Sequence, residues 1–160
     1  MNTELAYVRG DATSPDGTGP KIIAHVCNDA GGWGKGFVVA LSRRWKQPEA
    51  AYRQWHRDRA TNDFALGATQ LVQVDAGLWV ANLIGQHGIR SRTSTTRPVR
   101  YEAIDQALTT LAAQATERKA SVHMPRIGCG LAGGTWEEIE PLIIHRLIEQ
   151  GIPVTVYDLE

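Results

Sequence analysis

Twice in this chain an apolar run empties into a dense cluster of glycines and then into a helix, and this double junction constrains the fold more than any other feature. The first passes from Lys21–Val26 through Asn28-Asp29-Ala30-Gly31-Gly32-Trp33-Gly34-Lys35-Gly36 into a predicted helix over Phe37–Trp45. The second passes from Ser121–Met124 through Pro125-Arg126-Ile127-Gly128-Cys129-Gly130-Leu131-Ala132-Gly133-Gly134 into a helix predicted from Thr135. Strand followed by helix is the unit of an α/β sheet, whose ligands sit beyond the carboxyl ends of the strands. Glycine lets the backbone approach a ligand with its N–H groups turned inward, and a helix N-terminus adds unpaired donors. Two such loops facing each other suit a phosphate or pyrophosphate. Taken singly, each reads equally well as a tight turn.

The rest of the chain continues the alternation. Leu5–Arg9 is a short strand, followed by turn formers from Asp11 to Pro20. Pro48 opens a second helix that runs to about Arg59. Thr69–Val74 and Leu78–Ile84, joined by Asp75-Ala76-Gly77, form an antiparallel hairpin. The polar segment His87–Pro98, with Arg90, Arg92 and Arg97, is expected as an exposed loop. Ile104, Ala107, Leu108, Leu111, Ala112 and Ala115 recur at helical spacing and make one apolar stripe. Thr135 with Glu138 three positions on predicts a capping box, the stripe behind it being Ile139, Leu142, Ile143 and Leu147. Gly151 and Pro153 stop that helix, and Pro153–Leu159 is a last strand. No linker or repeat divides the chain, so residues 1–160 are expected as one domain. Helices with a single apolar stripe must cover both faces of the sheet, which predicts a three-layer α/β/α fold around a central mixed sheet.

Charge and cysteine content narrow the function classes. Lys+Arg and Asp+Glu are equal at 17 each, so the chain lacks the basic excess of a general nucleic-acid binder, and any anion site must be local. No apolar run approaches the roughly 20 residues that span a bilayer, and Met1–Arg9 lacks the parts of a signal peptide. Cys27 and Cys129 show no metal-ligand spacing, so the expectation is a cytoplasmic monomer with reduced thiols, no metal and no cofactor. There is no GxxxxGK[ST] and no complete GxGxxG in the first βα turn. The residues by themselves reach a domain that binds a phosphorylated small molecule.

A resemblance goes further. Gly10-Asp11 after the first strand, Ile22-Ile23-Ala24-His25-Val26-Cys27-Asn28 before the first glycine loop, and Met124-Pro125-Arg126-Ile127-Gly128-Cys129-Gly130-Leu131 followed by Trp136-Glu137 and Val154-Thr155-Val156-Tyr157 resemble a macrodomain. The likeness is to the branch containing terminal ADP-ribose protein glycohydrolase, and it covers nearly the whole chain. It implies an ADP-ribose site. Asp11 would accept from the adenine amino group beside the Ala12 N–H or else cap its own turn, and Tyr157 would stack on adenine or else pack in the core. Asn28 would bond the distal ribose or else close an Asx turn. Gly31, Gly32, Trp33, Gly34, Lys35 and Gly36 would line the distal ribose and pyrophosphate, with Lys35 pairing to phosphate or standing as a surface cation. Ile127, Gly128, Cys129, Gly130 and Leu131 would close over the diphosphate from the other side. His25, inside the strand, is expected as a packed histidine.

The same resemblance departs at the chemistry. Gln86 stands where the glycohydrolase branch carries its lysine nucleophile, and Ala132 where it carries its acid/base aspartate. Glutamine forms no Schiff base and alanine moves no proton. Where the branch acting on mono-ADP-ribose has an aspartate after the glycines, this chain has Lys35. The expectation is therefore hydrolysis of a labile glutamate ester, with Gln86 orienting water or else only binding the ribose, and with His87 or Asp29 taking the proton unless His87 is a solvated loop residue. The alternatives are a non-catalytic reader of ADP-ribose or its O-acetyl ester, and an ADP-ribose-1″-phosphate phosphatase. The expected partner is ADP-ribose or an ADP-ribosylated protein, not a membrane.

Overall fold

The computed structural model of the chain describes residues 4–89 and 97–159. Its elements, in chain order, are β1 (Leu5–Arg9), β2 (Lys21–Asn28), α1 (Phe37–Arg44), α2 (Gln47–Arg57), β3 (Thr69–Asp75), β4 (Leu78–Gln86), α3 (Tyr101–Arg118), β5 (Ser121–Met124), α4 (Trp136–Arg146) and β6 (Val154–Asp158). The sheet has six strands in the order β1-β6-β5-β2-β4-β3. All neighbours are parallel except β3, which returns antiparallel to β4 through the hairpin expected from Asp75-Ala76-Gly77.

Alternation along the neighbouring strands β2 and β4 builds the three layers. Ile22 and Ala24 of β2, with Ala81 and Leu83 of β4, face a core completed by Ile104, Leu108 and Leu111 of α3 and by Ile139 and Ile143 of α4. Ile23 and Cys27, with Val80 and Ile84, face the opposite core, which is closed by Leu41 of α1 and by Tyr52 and Trp55 of α2. Each helix buries one stripe, so the pair α1/α2 covers one face and α3/α4 the other, the three-layer α/β/α fold that the sequence predicts.

Two differences matter for the site. Strands β2 and β4 run on to Asn28 and Gln86 rather than stopping at Val26 and Ile84, and these two polar residues are register partners across a bulge at Cys27/Asn28. A bulge inserts a residue and re-aims the side chains beside it. The capping box is also corrected. Thr135 is the N-cap of α4, but its side chain makes no cap bond, and its backbone carbonyl accepts from Glu138 and Ile139 N–H at 3.1 and 3.2 Å instead. Arg90 and Arg92 of the expected exposed loop lie outside the described residues. Among the described residues no helix is long and apolar enough to cross a membrane.

Candidate functional site

Because β1, β6, β5, β2 and β4 run parallel, their carboxyl ends share one edge of the sheet. Along that edge, between the ends of β2, β4 and β5, lies a cleft of about 600 Å³, the size of a small-molecule site. Gly32–Val38 form one wall, Pro125–Ala132 the other, and His25, Val26, Cys27, Asn28, Gln86 and Ile89 the remainder. Both glycine clusters thus reach the same cleft, and Leu131 spans it: a β-carbon placed on Gly36 would stand 3.8 Å from Leu131 Cδ1.

The first wall is tied down by Asn28 and Tyr52. Asn28 Oδ1 accepts from the Ala30 and Gly32 N–H groups at 2.9 and 3.1 Å, while its Nδ2 donates to Gly32 O at 2.9 Å. The buried Tyr52 hydroxyl donates to Asn28 and accepts from Gly31 N–H at 3.1 Å. Asn28 is therefore the staple of an Asx-type turn as well as a lining residue. Among the described residues the N–H groups of Gly34, Lys35 and Gly36 meet no acceptor. They precede α1, and Gly36, its N-cap, sits at φ +84°, a conformation that favours glycine. The result is a nest of free donors at a helix N-terminus beside the exposed Lys35. Trp33 is buried beneath it, its indole N–H donating to Ser42 Oγ at 2.8 Å and its ring standing edge-on to His25.

The second wall is set by close packing. Gly128 sits at φ +75°, and a β-carbon there would fall 2.8 Å from Ile139 Cδ1 and 3.0 Å from Ile104 Cδ1. Only glycine lets this loop lie flat on α3 and α4. Arg126 anchors its start: Nε and Nη2 donate to the two Asp158 oxygens at 2.6 and 2.9 Å, and the guanidinium lies 5.2 Å from the Tyr7 ring centre and 5.1 Å from that of Trp136. The motif residues Arg126 and Trp136 thus act together at the end of β6. Cys129 lines the cleft as a half-buried thiol, pushed up by burial.

At the β2/β4 corner three polar side chains meet. Asp29 Oδ2 lies 2.7 Å from His87 Nδ1, and Asp29 Oδ1 accepts from Gly88 N–H at 2.7 Å. Burial alone would raise the Asp29 carboxyl, but the Gly88 and His87 bonds outweigh it and hold the group below the usual range. An ionised Asp29 only accepts, so His87 donates from Nδ1 and its Nε2 stays outside that bond. Gln86 lines the cleft and donates from Nε2 to Gly88 O at 3.1 Å.

The edge does not gather every residue singled out in the sequence. Asp29 and His87 stand beside the cleft rather than in its lining, and Gly31 lies behind the first loop against the His56 ring. Asp11, Ala12 and Tyr157 belong to the far end, at β1 and β6. Asp11 is exposed, and its Oδ1 accepts from Thr13 N–H and Oγ1 at 2.8 and 2.7 Å. Ala12 is buried, as is Tyr157, whose hydroxyl accepts from Asp16 N–H at 2.9 Å and contacts His123 Nδ1 at 2.7 Å. His25 is buried and neutral, its Nε2 bonded to Asn82. Sequence reasoning missed Tyr52, which sits in the apolar stripe of α2, and the Arg126–Asp158 pair, whose partners lie 32 positions apart. It also passed over Ile89, which is 64% exposed at the mouth of the cleft.

Comparison with known proteins gives a consistent result. A macrodomain protein from Streptomyces coelicolor has 66% sequence identity over 97% of this chain and 99% of its own, with a TM-score of 0.87. Mouse chromodomain-helicase-DNA-binding protein 1-like is 32% identical over 98% of this chain, which spans only 18% of that much longer protein. The ADP-ribose 1″-phosphate phosphatase of Lodderomyces elongisporus is 29% identical, with 87% of this chain and 90% of the phosphatase aligned. No protein-family model matches the chain.

Proposed function

Since the chain belongs to the macrodomain family, we propose that its cleft binds ADP-ribose and that the chain hydrolyses the ester joining ADP-ribose to protein glutamate side chains. The observation that carries the binding half is the pair of glycine loops facing one another, with the free Gly34, Lys35 and Gly36 N–H groups at the start of α1. Such donors suit a pyrophosphate. The name of the phosphatase relative points to the same ligand. In this reading Asp11 meets the adenine end and Asn28 the distal ribose, while Tyr157 packs in the core behind them and Ile127, Gly128, Cys129, Gly130 and Leu131 cover the diphosphate.

The hydrolytic half rests on the Asp29–His87 pair beside Gln86. With the pyrophosphate anchored, the anomeric carbon would lie toward the β2/β4 corner. Gln86 Oε1 orients a water, and His87 Nε2 takes its proton as the water oxygen bonds to the anomeric carbon. The glutamate leaves with the electron pair of the broken C–O bond. Its conjugate acid has a pKa of about 4, so the carboxylate departs without a proton donor. That leaving group suits a site with Gln86 and Ala132 in place of a lysine and an aspartate. Fixing water and ester together supplies the rest.

The test is incubation with a glutamate-linked ADP-ribosylated protein, with free ADP-ribose as the readout, alongside calorimetric titration with ADP-ribose. Turnover that survives Gln86→Ala unchanged refutes the role of Gln86. Binding without release makes the chain a reader, and no binding removes the proposal.

A further inference from the structure

A neutral chain hides a strong division of charge between its two helical layers. Residues 37–61, which hold α1, α2 and the short turn after them, carry Arg43, Arg44, Lys46, Arg53, Arg57 and Arg59 against two acidic residues, Glu49 and Asp58. All six cations are exposed. Helices α3 and α4 reverse the ratio, with Glu102, Asp105, Glu117, Glu137, Glu138 and Glu140 against Arg118 and Arg146. One outer face of the sandwich is positive and the other negative.

The positive layer also borders the site. At one end Arg44 Nε donates to Thr13 Oγ1 at 3.1 Å, and Thr13 in turn bonds Asp11. At the other end Arg53 Nη1 donates to Gly31 O at 3.1 Å, two residues from Asp29 and its histidine partner. A chain leaving the β2/β4 corner over the first glycine loop therefore runs onto α2. Arginine is the cation suited to carboxylate and phosphate oxygens. A single-stranded nucleic acid would call for stacking rings, but the aromatic side chains of α2, Tyr52 and Trp55, are turned inward and buried.

We infer that the α1/α2 face docks the acidic polypeptide segment surrounding the modified glutamate. The face draws the carrier to the cleft and makes flanking Asp and Glu residues a determinant of substrate choice. This rests on the proposed function, since the acidic carrier belongs to a glutamate-linked substrate. The acidic α3/α4 layer repels the same segment and so leaves one productive approach.

The test uses two fluorescent peptides, each carrying one ADP-ribosyl group on a non-hydrolysable triazole linkage, with flanks of Asp/Glu or of Ser/Asn. Binding to the full chain is measured by anisotropy in low salt and in high salt. The acidic peptide binds roughly three- to tenfold tighter in low salt, as two or three exposed charge pairs provide, and the preference vanishes in high salt. The variant Arg43→Glu/Arg57→Glu loses the preference while its calorimetric affinity for free ADP-ribose is unchanged. Equal affinity of the two peptides, or a preference that survives the variant, overturns the inference. So does displacement of the acidic peptide by an unmodified single-stranded DNA oligonucleotide as effectively as by unlabelled acidic peptide. Failure of free ADP-ribose to bind strikes the proposed function instead, and unmodified acidic peptide then reports on the docking face alone.

Discussion

Acid should destabilise this domain well before its carboxylates titrate, because two histidines are folded in as neutral rings. Burial pushes His25 down to about 4, against which the Asn82 bond works weakly. Burial, with Lys21 adding to it, pushes His123 to about 4. His123 is held by Ser121 Oγ at 2.8 Å and the Tyr157 hydroxyl at 2.7 Å, leaving no room for a water shell around a cation. In the unfolded chain both rings titrate near 6.5, so between that value and 4 the unfolded state binds more protons and stability falls with pH. The contribution is full above about pH 7, and by pH 5 each ring has lost about 2 kcal/mol, or about 4 together. For a domain of this size that corresponds to roughly 8–16 °C in Tm. The Asp29, Asp105 and Asp158 carboxyls are also held low, but their losses begin only below about pH 5. Calorimetric Tm values of the wild type and of His123→Gln between pH 7 and 5 check the argument, since the variant should lose about half of the slope. A wild-type Tm constant within about 2 °C over that interval, below what even one such ring implies, would falsify it.

Three further perturbations address the site. Gly128→Val puts a branched side chain at φ +75° against Ile139 and Ile104, and should lower stability by about 2 kcal/mol or more and weaken ADP-ribose binding, read by thermal melts and calorimetry. Asp158→Asn releases the Arg126 fork from an ion pair that is about two-fifths exposed at each partner; it should change stability by no more than about 1 kcal/mol, while loosening the second loop enough to weaken ADP-ribose binding a few-fold. His87→Asn should reduce hydrolysis of a glutamate-linked substrate on the order of 100-fold with ADP-ribose affinity intact, and no variant or wild type should cleave a serine-linked substrate, whose alkoxide leaving group needs a proton donor.

What the sequence discloses about this protein divides along a physical line. The strands and helices carry their own periodicity, so the hairpin over Thr69–Gln86 and the stripes of α3 and α4 are local properties that a single stretch of chain reveals. The glycine loops are equally local, because a positive φ at Gly36 or a close approach at Gly128 is a demand on one residue type. The Thr135 cap went the other way: its neighbours in sequence suit a capping box, but the helix start is instead set beside Tyr101, whose hydroxyl takes the Thr135 N–H at 3.2 Å. Tertiary contact overrode a local signal there. The ends of β2 and β4 were equally hard to place, since Asn28 and Gln86 are polar residues that extend strands only because they pair with each other across a bulge.

The same line separates binding from chemistry. A pyrophosphate cradle consists of backbone N–H groups, which any sequence supplies provided that glycines shape the loop, so its signature survives in glycine spacing. Acid–base chemistry needs two side chains at bonding distance, and here Asp29 and His87 come from the ends of different strands, 58 positions apart. Nothing local marks such a pair, whereas an Asp at 132 or a Lys at 86 would have been marked by a resemblance. Gln86 and Ala132 remove the lysine and aspartate route, and the proposed function relies on the other one. A carboxylate leaving group asks for a base and an oriented water, and the β2/β4 corner holds the imidazole of His87 bonded to Asp29, near the cleft-lining Gln86. Substrates whose leaving group is more basic ask for the acid that Ala132 cannot be. On the proposed function, the side chains left at this corner suit the ester-linked class, and the inferred docking face favours its acidic carriers.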